Sequence, residues 1–411
     1  MFANLWNDLR IILFAALIGI GIFAGQGMVI GFGVMGFLVS GIGWMWNRIS
    51  LEEVSYRRKL SPQRVFMGEE VSLGLTLTNK KPVPLARVKV EDEFPEDFEI
   101  ADAEVTSSAS PRSQVLHHKT SMAWYESISW EYRLKCFRRG LYDIGPVRMA
   151  SGDLFGFFQR EVTLHHRDYL LVYPKVVPLP ELGLPAARPL GEIGGGIAMF
   201  QDPSRPLGIR DYERGDPLNT VDWKASARRQ TLQVRTFEPS STMTVILAVV
   251  VETTARYWEG YSAVNLERVI TAAASVARYA AEKRYSIGLF SDGTPILADR
   301  PMRISPSRSP EQETIILEAL ATIRPLPMGS MGPLLTEYSR RFPMGATLVV
   351  ITALVLPELV DAISNLKGCG YRIVVLYLGD EQCPELPDGV LVHELQDHFE
   401  TMELAGEFGP R

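Results

Sequence analysis

The chain of 411 residues is long enough for two or three domains, and 46% apolar with 22% charged residues is ordinary for a folded protein. This composition excludes a largely disordered chain, a collagen and a charged coiled coil. The net charge of −6 gives no basic footprint for nucleic acid, and three cysteines without metal-type spacing exclude a disulfide scaffold and a structural zinc site. We therefore predict no nucleic acid partner and no cofactor.

Residues 11–46 carry no charge and form the most apolar segment of the chain. As one helix they would measure about 54 Å, well beyond the ~30 Å hydrocarbon core of a bilayer. The run breaks at Gly25-Gln26-Gly27, so we predict two transmembrane helices that form a hairpin within residues 1–48 and contact the lipid bilayer. A cleaved signal peptide is the alternative, but the run is too long for one.

Basic residues flank this hairpin on both sides and are absent from its central turn. Arg10 precedes the run, and Arg48, Arg57, Arg58 and Lys59 follow it. Positive residues favour the cytoplasmic side of a membrane. We therefore predict a multi-pass protein of the cell membrane with both ends in the cytoplasm.

Residues 49–178 have the pattern of an all-β domain. Apolar and polar residues alternate at 71–78 and 86–90, and further strand-like runs lie at 128–134 and 169–173. Short strands separated by turn residues predict a β-sandwich domain. Such a domain usually acts as a spacer or as a binding module. The acidic cluster Glu91, Asp92, Glu93, Glu96 and Asp97 is predicted to be a solvated loop.

Residues 179–241 are predicted to be a linker followed by a charged segment. Prolines at 179–207 and the glycine-rich stretch 191–196 favour an irregular backbone. No Gly-Lys-Ser/Thr sequence follows these glycines, which argues against a phosphate-binding loop.

Residues 242–411 alternate between strands and helices. Strands are predicted at 244–251, 285–290, 347–351 and 372–378, and helices at 265–283, 311–323, 334–341 and 358–367. This alternation predicts a doubly wound α/β domain with a parallel sheet.

Ligands of such sheets bind beyond the carboxyl ends of the strands, where the strand order switches. The residues that follow Val251, Phe290 and Ile351 are therefore candidates for a site. Oxygen ligands for Mg²⁺ could come from Glu252, Thr254, Ser291 and Thr352, but Arg256 adds a positive charge and Ala353 adds no ligand. We predict a packed, metal-free loop.

The segment from Arg210 to Arg229 has the highest density of charged residues that could carry a function. Its basic and acidic residues nearly balance: Arg210, Arg214, Lys224, Arg228 and Arg229 against Asp211, Glu213, Asp216 and Asp222. Asp216-Pro217 predicts a helix start. A structural ion-pair network, a docking face and a catalytic carboxylate cluster are the three interpretations. We expect buried structural roles for Asp222, Trp223 and Arg228, and exposed contact roles for Arg210, Asp211 and Arg214.

This segment resembles the signature of the bacterial family called "domain of unknown function 58". The signature runs Arg-x-Tyr-x-x-Gly-Asp, then Ile/Val-Asp-Trp-x-x-Ser-Ala-Arg, then Leu-x-Val. It is matched here by Arg210, Tyr212, Gly215, Asp216, Val221, Asp222, Trp223, Ser226, Ala227, Arg228, Leu232 and Val234. A second resembling element comprises Arg138-Arg139-Gly140, Tyr142, Gly145-Pro146 and residues 153–158, with Leu154 where the family usually has proline.

The resemblance implies a von Willebrand factor A-like domain and a MoxR-type AAA+ ATPase as partner, with which members are thought to assemble or mature other proteins. Such a domain normally carries Asp-x-Ser-x-Ser, whose positions hold Glu252, Thr254 and Arg256 here, and Ala353 replaces a later Asp. We predict a non-enzymatic, membrane-anchored scaffold or adaptor. A metal-dependent hydrolase, using Glu252 or the carboxylates at 211, 216 and 222, and a divalent-metal-binding interaction module are the alternatives.

Overall fold

The structure, a computed structural model, describes residues 2–152, 159–185, 189–190, 201–212, 221–239, 243–255, 258, 260–296 and 300–404. These residues fall into two compact units. The first unit ends at Pro174, and the second unit begins at Lys175.

The first unit begins with two apolar helices, α1 (Phe2–Ala24) and α2 (Gly27–Ser50). They pack closely at glycines, since a Cβ on Gly33 would lie 3.1 Å from the backbone nitrogen of Ile18. Among the described residues, α2 is the one helix whose length and apolar composition suit a membrane span, and Ile12–Ala24 is a shorter apolar stretch. The second of the two predicted spans stays a prediction.

Strands make up the rest of the first unit. They are β1 (Val54–Ser61), β2 (Arg64–Phe66), β3 (Glu70–Asn79), β4 (Leu85–Pro95), β5 (Phe98–Ile100), β6 (Val105–Ser107), β7 (Ser113–Met122), β8 (Ser127–Cys136), β9 (Gly140–Ile144), β10 (Val147–Gly152), β11 (Gln159–Leu164) and β12 (Asp168–Tyr173). The sheets have the orders β1-β3-β8-β5, β11-β10-β4-β7-β6 and β2-β12-β9. The predicted strands at 71–78, 86–90, 128–134 and 169–173 are confirmed.

The core of the first unit follows from the period-two pattern. Val71, Leu73, Leu75 and Leu77 alternate along β3 and are fully buried. One apolar cluster joins side chains from all three sheets, and a second joins the four- and five-stranded sheets. Burying one leucine side chain contributes about 1.5–3 kcal/mol, so these rows hold the sheets together.

The acidic run at 91–93 lies within β4, so the prediction of a solvated loop is wrong there. Asp92 is fully buried, and its Oδ1 lies 2.5 Å from Nη2 of Arg58. Tyr56 donates its hydroxyl to Asp92 at 2.7 Å, and Arg58 also binds Asp168 at 2.6 Å. The carboxylate can be buried because these partners satisfy and neutralise it.

The second unit contains both strands and helices. They are β13 (Gln201–Asp211), α3 (Trp223–Arg229), β14 (Gln233–Pro239), β15 (Thr244–Val249), α4 (Ala263–Glu282), β16 (Ser286–Ser291), β17 (Gly293–Pro295), β18 (Met302–Ser307), α5 (Gln312–Thr322), β19 (Ile323–Pro327), α6 (Met331–Ser339), β20 (Thr347–Thr352), α7 (Pro357–Gly368), β21 (Arg372–Tyr377), β22 (Leu391–Glu394) and α8 (Gln396–Leu404).

A six-stranded sheet of order β18-β16-β15-β20-β21-β22 dominates this unit. Its strands pair in parallel except for β18, which is antiparallel to β16. Ile246, Ala248 and Val250 pack with apolar residues of α6 and α7, and α4 packs against β15 as well. The predicted alternation of strands and helices is confirmed, with boundaries that differ by at most three residues.

Part of the predicted linker is packed into the second unit. Leu179, Leu182 and Leu184 are buried, and the backbone nitrogen of Val177 donates to the Ser275 hydroxyl at 2.9 Å. Residues 179–185 contain no helix or strand, yet apolar side chains between the prolines are buried. The prediction of an irregular backbone is wrong from Gln201 onward, where β13 begins. The glycine-rich stretch 191–196 lies outside the described residues.

Candidate functional site

The charged signature segment forms a two-stranded sheet closed by a short helix. β13 pairs antiparallel with β14, which places Arg210 opposite Val234 and Asp211 opposite Gln233. The helix α3 lies between the two strands in the chain. Arg214, Gly215 and Asp216 lie outside the described residues, as do residues 153–158 of the second family element.

Asp222 is the N-cap of α3. Its Oδ1 accepts hydrogen bonds from the backbone nitrogens of Lys224 and Ala225, both at 3.0 Å. Such a cap stabilises a helix by about 1 kcal/mol. The predicted helix start at Asp216-Pro217 lies outside the described residues, and the helix that carries the signature begins at Trp223.

Ser226 joins α3 to β14 through a buried hydroxyl. Its Oγ donates to the backbone oxygen of Asp222 at 2.7 Å and accepts from the backbone nitrogen of Gln233 at 2.8 Å. The backbone nitrogen of Asp222 donates to the oxygen of Gln233 at 2.9 Å. The Gln233 side chain in turn donates to Asp211. These four residues form one network, which we call the signature network.

Several signature side chains point to solvent. Trp223 is 67% exposed, so the prediction that it packs inward is wrong. Arg228 is exposed as well, so it is not the buried partner of Asp222 that the sequence suggested. Arg210 and Asp211 are exposed as predicted, and Tyr212 is half-buried.

The carboxyl edge of the six-stranded sheet is the second candidate site. β15 lies between β16 and β20, and the later parallel strands continue from β20, so the strand order switches between β15 and β20. Glu252 and Thr254 follow β15, Thr352 ends β20 and Ala353 follows it, and Ser291 ends the neighbouring strand β16.

Ser291 is buried, and its hydroxyl donates to the Asp292 carboxylate at 3.4 Å and accepts from the backbone nitrogen of Gly293 at 3.1 Å. The other two candidate hydroxyls bind nearby backbone oxygens. Thr254 donates to the oxygen of Gly260 at 2.7 Å, and Thr352 donates to the oxygen of Leu354 at 2.5 Å. Ala353 is buried, and Arg256 lies outside the described residues. Glu252 is half-buried, and burial together with Glu358 raises the pKa of its carboxyl.

Asp292 is the most perturbed acid at this edge. It is fully buried directly after β16, and its Oδ1 accepts from the backbone nitrogen of Val251 at 2.8 Å. Its Oδ2 makes no hydrogen bond to any described residue. Burial, the largest cause, raises the pKa of Asp292 to about 7, and the nearby Glu252 carboxylate adds to the effect.

Sequence reasoning missed Gln233 and did not select Asp292. Gln233 stands between the two matched residues of the Leu-x-Val element, where a strand pattern assigns the polar position to solvent. A carboxylate directly after an apolar strand was the available signal for Asp292. Its full burial depends on segments that are distant in the sequence.

Among the described residues, no three His, Cys, Asp or Glu side chains are grouped to hold a metal ion. We expect millimolar Mg²⁺ to leave the melting temperature of the full chain unchanged, because the hydroxyls of Thr254 and Thr352 are engaged with the backbone. A ligand at 100 times its Kd would add about 2.7 kcal/mol. A melting shift of that order that disappears in Thr254→Ala would contradict this prediction.

Residues 208–404 match the family described as "Protein of unknown function DUF58". The match begins two residues before Arg210, includes the whole signature and extends through the six-stranded sheet. A curated relative is the "Uncharacterized protein YeaD" of Bacillus subtilis (strain 168), which is 24% identical over 245 residues, or 57% of this chain. The matched region spans 55% of that relative's length. Both findings support the DUF58 family.

Solved structures resemble only small parts of the chain. A cohesin module of a Clostridium perfringens family 33 glycoside hydrolase is 11% identical and covers 29% of this chain and 96% of its own, with a TM-score of 0.21. The sporulation control protein Spo0M of Bacillus subtilis is 13% identical and covers 30% of this chain and 50% of its own, with a TM-score of 0.19. Scores this low establish neither fold nor function for the whole chain.

Proposed function

We propose that this DUF58-type protein is a membrane-anchored scaffold or adaptor without enzymatic activity, and that its signature segment docks a MoxR-type AAA+ ATPase. The apolar helix α2 supports an anchor in the bacterial cell membrane. Basic residues on both sides of residues 11–46 support two spans with cytoplasmic ends. A β-sandwich for the first unit and a von Willebrand factor A-like fold for the second complete the proposal.

The observation that carries this proposal is a set of exposed apolar and basic side chains on a hydrogen-bonded support. Trp223 is 67% exposed, Ile209 50% and Leu232 45%. Exposed basic residues lie beside them in the chain, and we call the whole set the signature face: Ile209, Arg210, Trp223, Lys224, Arg228, Arg229 and Leu232. Exposed apolar side chains with charged neighbours are typical of protein interaction sites.

The composition of the signature face indicates what it binds. Tryptophan and arginine are the residues that most often dominate binding energy in protein interfaces. The basic side chains favour an acidic surface on the partner, because complementary charge accelerates association and selects the partner. The signature network holds the strands and α3 in place, so the face loses little conformational entropy on binding.

Trp223→Ala should weaken binding of the purified ATPase about 30-fold, which corresponds to a loss of ~2 kcal/mol at an interface hot spot. The melting temperature should stay within a degree or two of the parent, because Trp223 is 67% exposed and contributes little to the core. Titration of the full chain in detergent with the ATPase measures the affinity, and a thermal melt measures stability.

Trp258→Ala is the matched control, because Trp258 is also 67% exposed and also belongs to the second unit. It should leave ATPase binding unchanged. If both variants bind like the parent, the signature face is not the docking surface. If they bind normally but a hydrolytic activity is lost in Asp211→Ala, the enzyme alternative replaces the scaffold.

A further inference from the structure

Two large aromatic side chains occupy the turn that joins the five-stranded sheet to the four-stranded sheet. Trp124 and Tyr125 lie between β7 and β8, and they are 66% and 67% exposed. Turns favour Gly, Asn, Asp, Pro and Ser. Tyr125 even adopts a positive φ of 54°, which is uncommon for a bulky residue. Neither the turn nor the core of the first unit explains these aromatic residues.

The aromatic turn is tied to the turn between β3 and β4. The backbone nitrogen of Tyr125 donates to the oxygen of Lys81 at 3.3 Å. The buried Asn79 side chain donates to the oxygen of Ala123 at 2.9 Å, and its backbone nitrogen donates to Glu126 at 2.9 Å. The position of Trp124 and Tyr125 is therefore set by Asn79 and Lys81.

Lys81 connects the same turn to the end of α2. Its Nζ donates to the oxygens of Ile49 and Glu52, each at 2.7 Å, and also to the oxygen of Ser50. The carbonyls of the last helical turn lack partners within a helix, and a lysine there satisfies them. The aromatic turn thus lies beside the carboxyl end of the helix that suits a membrane span.

Strand register places the turn at the same end of the sheet. Val54, the first residue of β1 after α2, pairs with Asn79 at the end of β3. Thr78 pairs with Ser127, the first residue of β8 after the aromatic turn. All three strands therefore have these ends next to α2, and the turn that carries Trp124 and Tyr125 lies at the same end.

The level of α2 in a bilayer follows from its length. From Gly27, about 20 residues cross the ~30 Å hydrocarbon core, which places the boundary near Trp46 and leaves Arg48 among the headgroups. Trp44, about one helical turn before Arg48, is 41% exposed on the helix surface. Tryptophan and tyrosine concentrate at this depth because one part of the ring system is apolar and another forms hydrogen bonds.

We propose that the Trp124-Tyr125 turn inserts into the interfacial layer of the bilayer that α2 crosses, as a second membrane contact of the first unit. This inference rests on the membrane anchor of the proposed function. The two aromatic side chains would contact the lipid headgroups and the adjoining ends of the acyl chains. With Lys81 holding the end of α2, the contact would fix the tilt of the β-rich body above the membrane.

The test uses the full chain in vesicles of zwitterionic and anionic phospholipid, with Cys369→Ser and Cys383→Ser as background and the buried Cys136 retained. Tyr125→Cys carries a fluorescent label. Arg112→Cys is the matched control, because Arg112 is also exposed at a positive φ, 57°, and lies at the opposite end of β7. The ten residues of β7 separate the two labels by about 33 Å.

A headgroup nitroxide lipid should remove most of the emission of the Tyr125→Cys label and little of the emission of the Arg112→Cys label. Aqueous iodide should quench the label at Arg112→Cys more strongly than the label at Tyr125→Cys. Equal lipid quenching at both positions, with protein that floats with the vesicles, overturns the inference alone. If the label at Tyr125→Cys is protected from iodide but is not quenched by the nitroxide lipid, the inference is also overturned, because a protein then covers the turn. Failure to float overturns the membrane anchor as well.

Discussion

Asp92→Ala should lower the free energy of unfolding of the first unit by about 3 kcal/mol, because the buried Arg58 guanidinium loses one of its two carboxylate partners and keeps only Asp168. The side chain of Arg58 is 1% exposed and that of Asp92 0%, so water cannot replace the lost carboxylate. Such a loss is a large share of the stability of a typical domain. Denaturant unfolding of the full chain in detergent, followed by tryptophan fluorescence, measures it.

Two further variants separate the unpaired charge from the lost volume. Glu91→Ala, at the neighbouring position of β4, should cost less than about 1 kcal/mol, because the partly exposed Glu91–Lys89 pair is screened by solvent. Arg58→Met combined with Asp92→Leu should recover part of the loss, since apolar replacements of a buried pair are often tolerated. An Asp92→Ala loss no larger than that of Glu91→Ala would show that the ion pair is not important for stability.

Asp292 should make the stability of the second unit depend on pH. Burial raises its pKa to about 7, so the folded protein binds this proton more tightly than the unfolded chain does. Its contribution to stability is therefore present at acidic pH and is lost as the pH rises through that value. The loss between pH 5 and pH 8 should be roughly 2–3 kcal/mol, since a tenfold difference in proton affinity is worth about 1.4 kcal/mol.

Asp292→Asn isolates this contribution from all other titrating groups. Asparagine keeps an acceptor for the backbone nitrogen of Val251, which Asp292 binds at 2.8 Å, and it cannot ionise. The unfolding free energy of the variant relative to the parent should therefore rise from pH 5 to pH 8. Asp361→Asn, at an exposed position of α7, is the matched control for replacing a carboxyl group by an amide. A pH-independent difference for Asp292→Asn would mean that this carboxyl titrates at its ordinary value.

The structural and the exposed parts of the signature have different roles. Asp222, Ser226 and Gln233 bind one another, and their substitution should act on the fold. Trp223 is exposed beside them, and its substitution should act on binding. One short segment can therefore match a family signature for two separate physical reasons.

Regular elements could be predicted from the sequence because their pattern is local. The uncharged run at 11–46, the alternation at 71–78 and the apolar run at 244–251 each correspond to observed elements, α1 and α2, β3 and β15. Each element buries one face or one stripe, so its period appears in consecutive residues.

Only the tertiary structure decided which polar residues are buried and which aromatic residues are exposed. Asp92 is buried because Arg58, 34 positions earlier, reaches it, and Lys81 is buried because it binds carbonyls at the end of α2. Trp124 and Trp223 are exposed although tryptophan is mostly apolar, and they lie in a turn and in the first position of a short helix. The sequence alone indicated neither outcome, because burial of a charge depends on partners from distant parts of the chain.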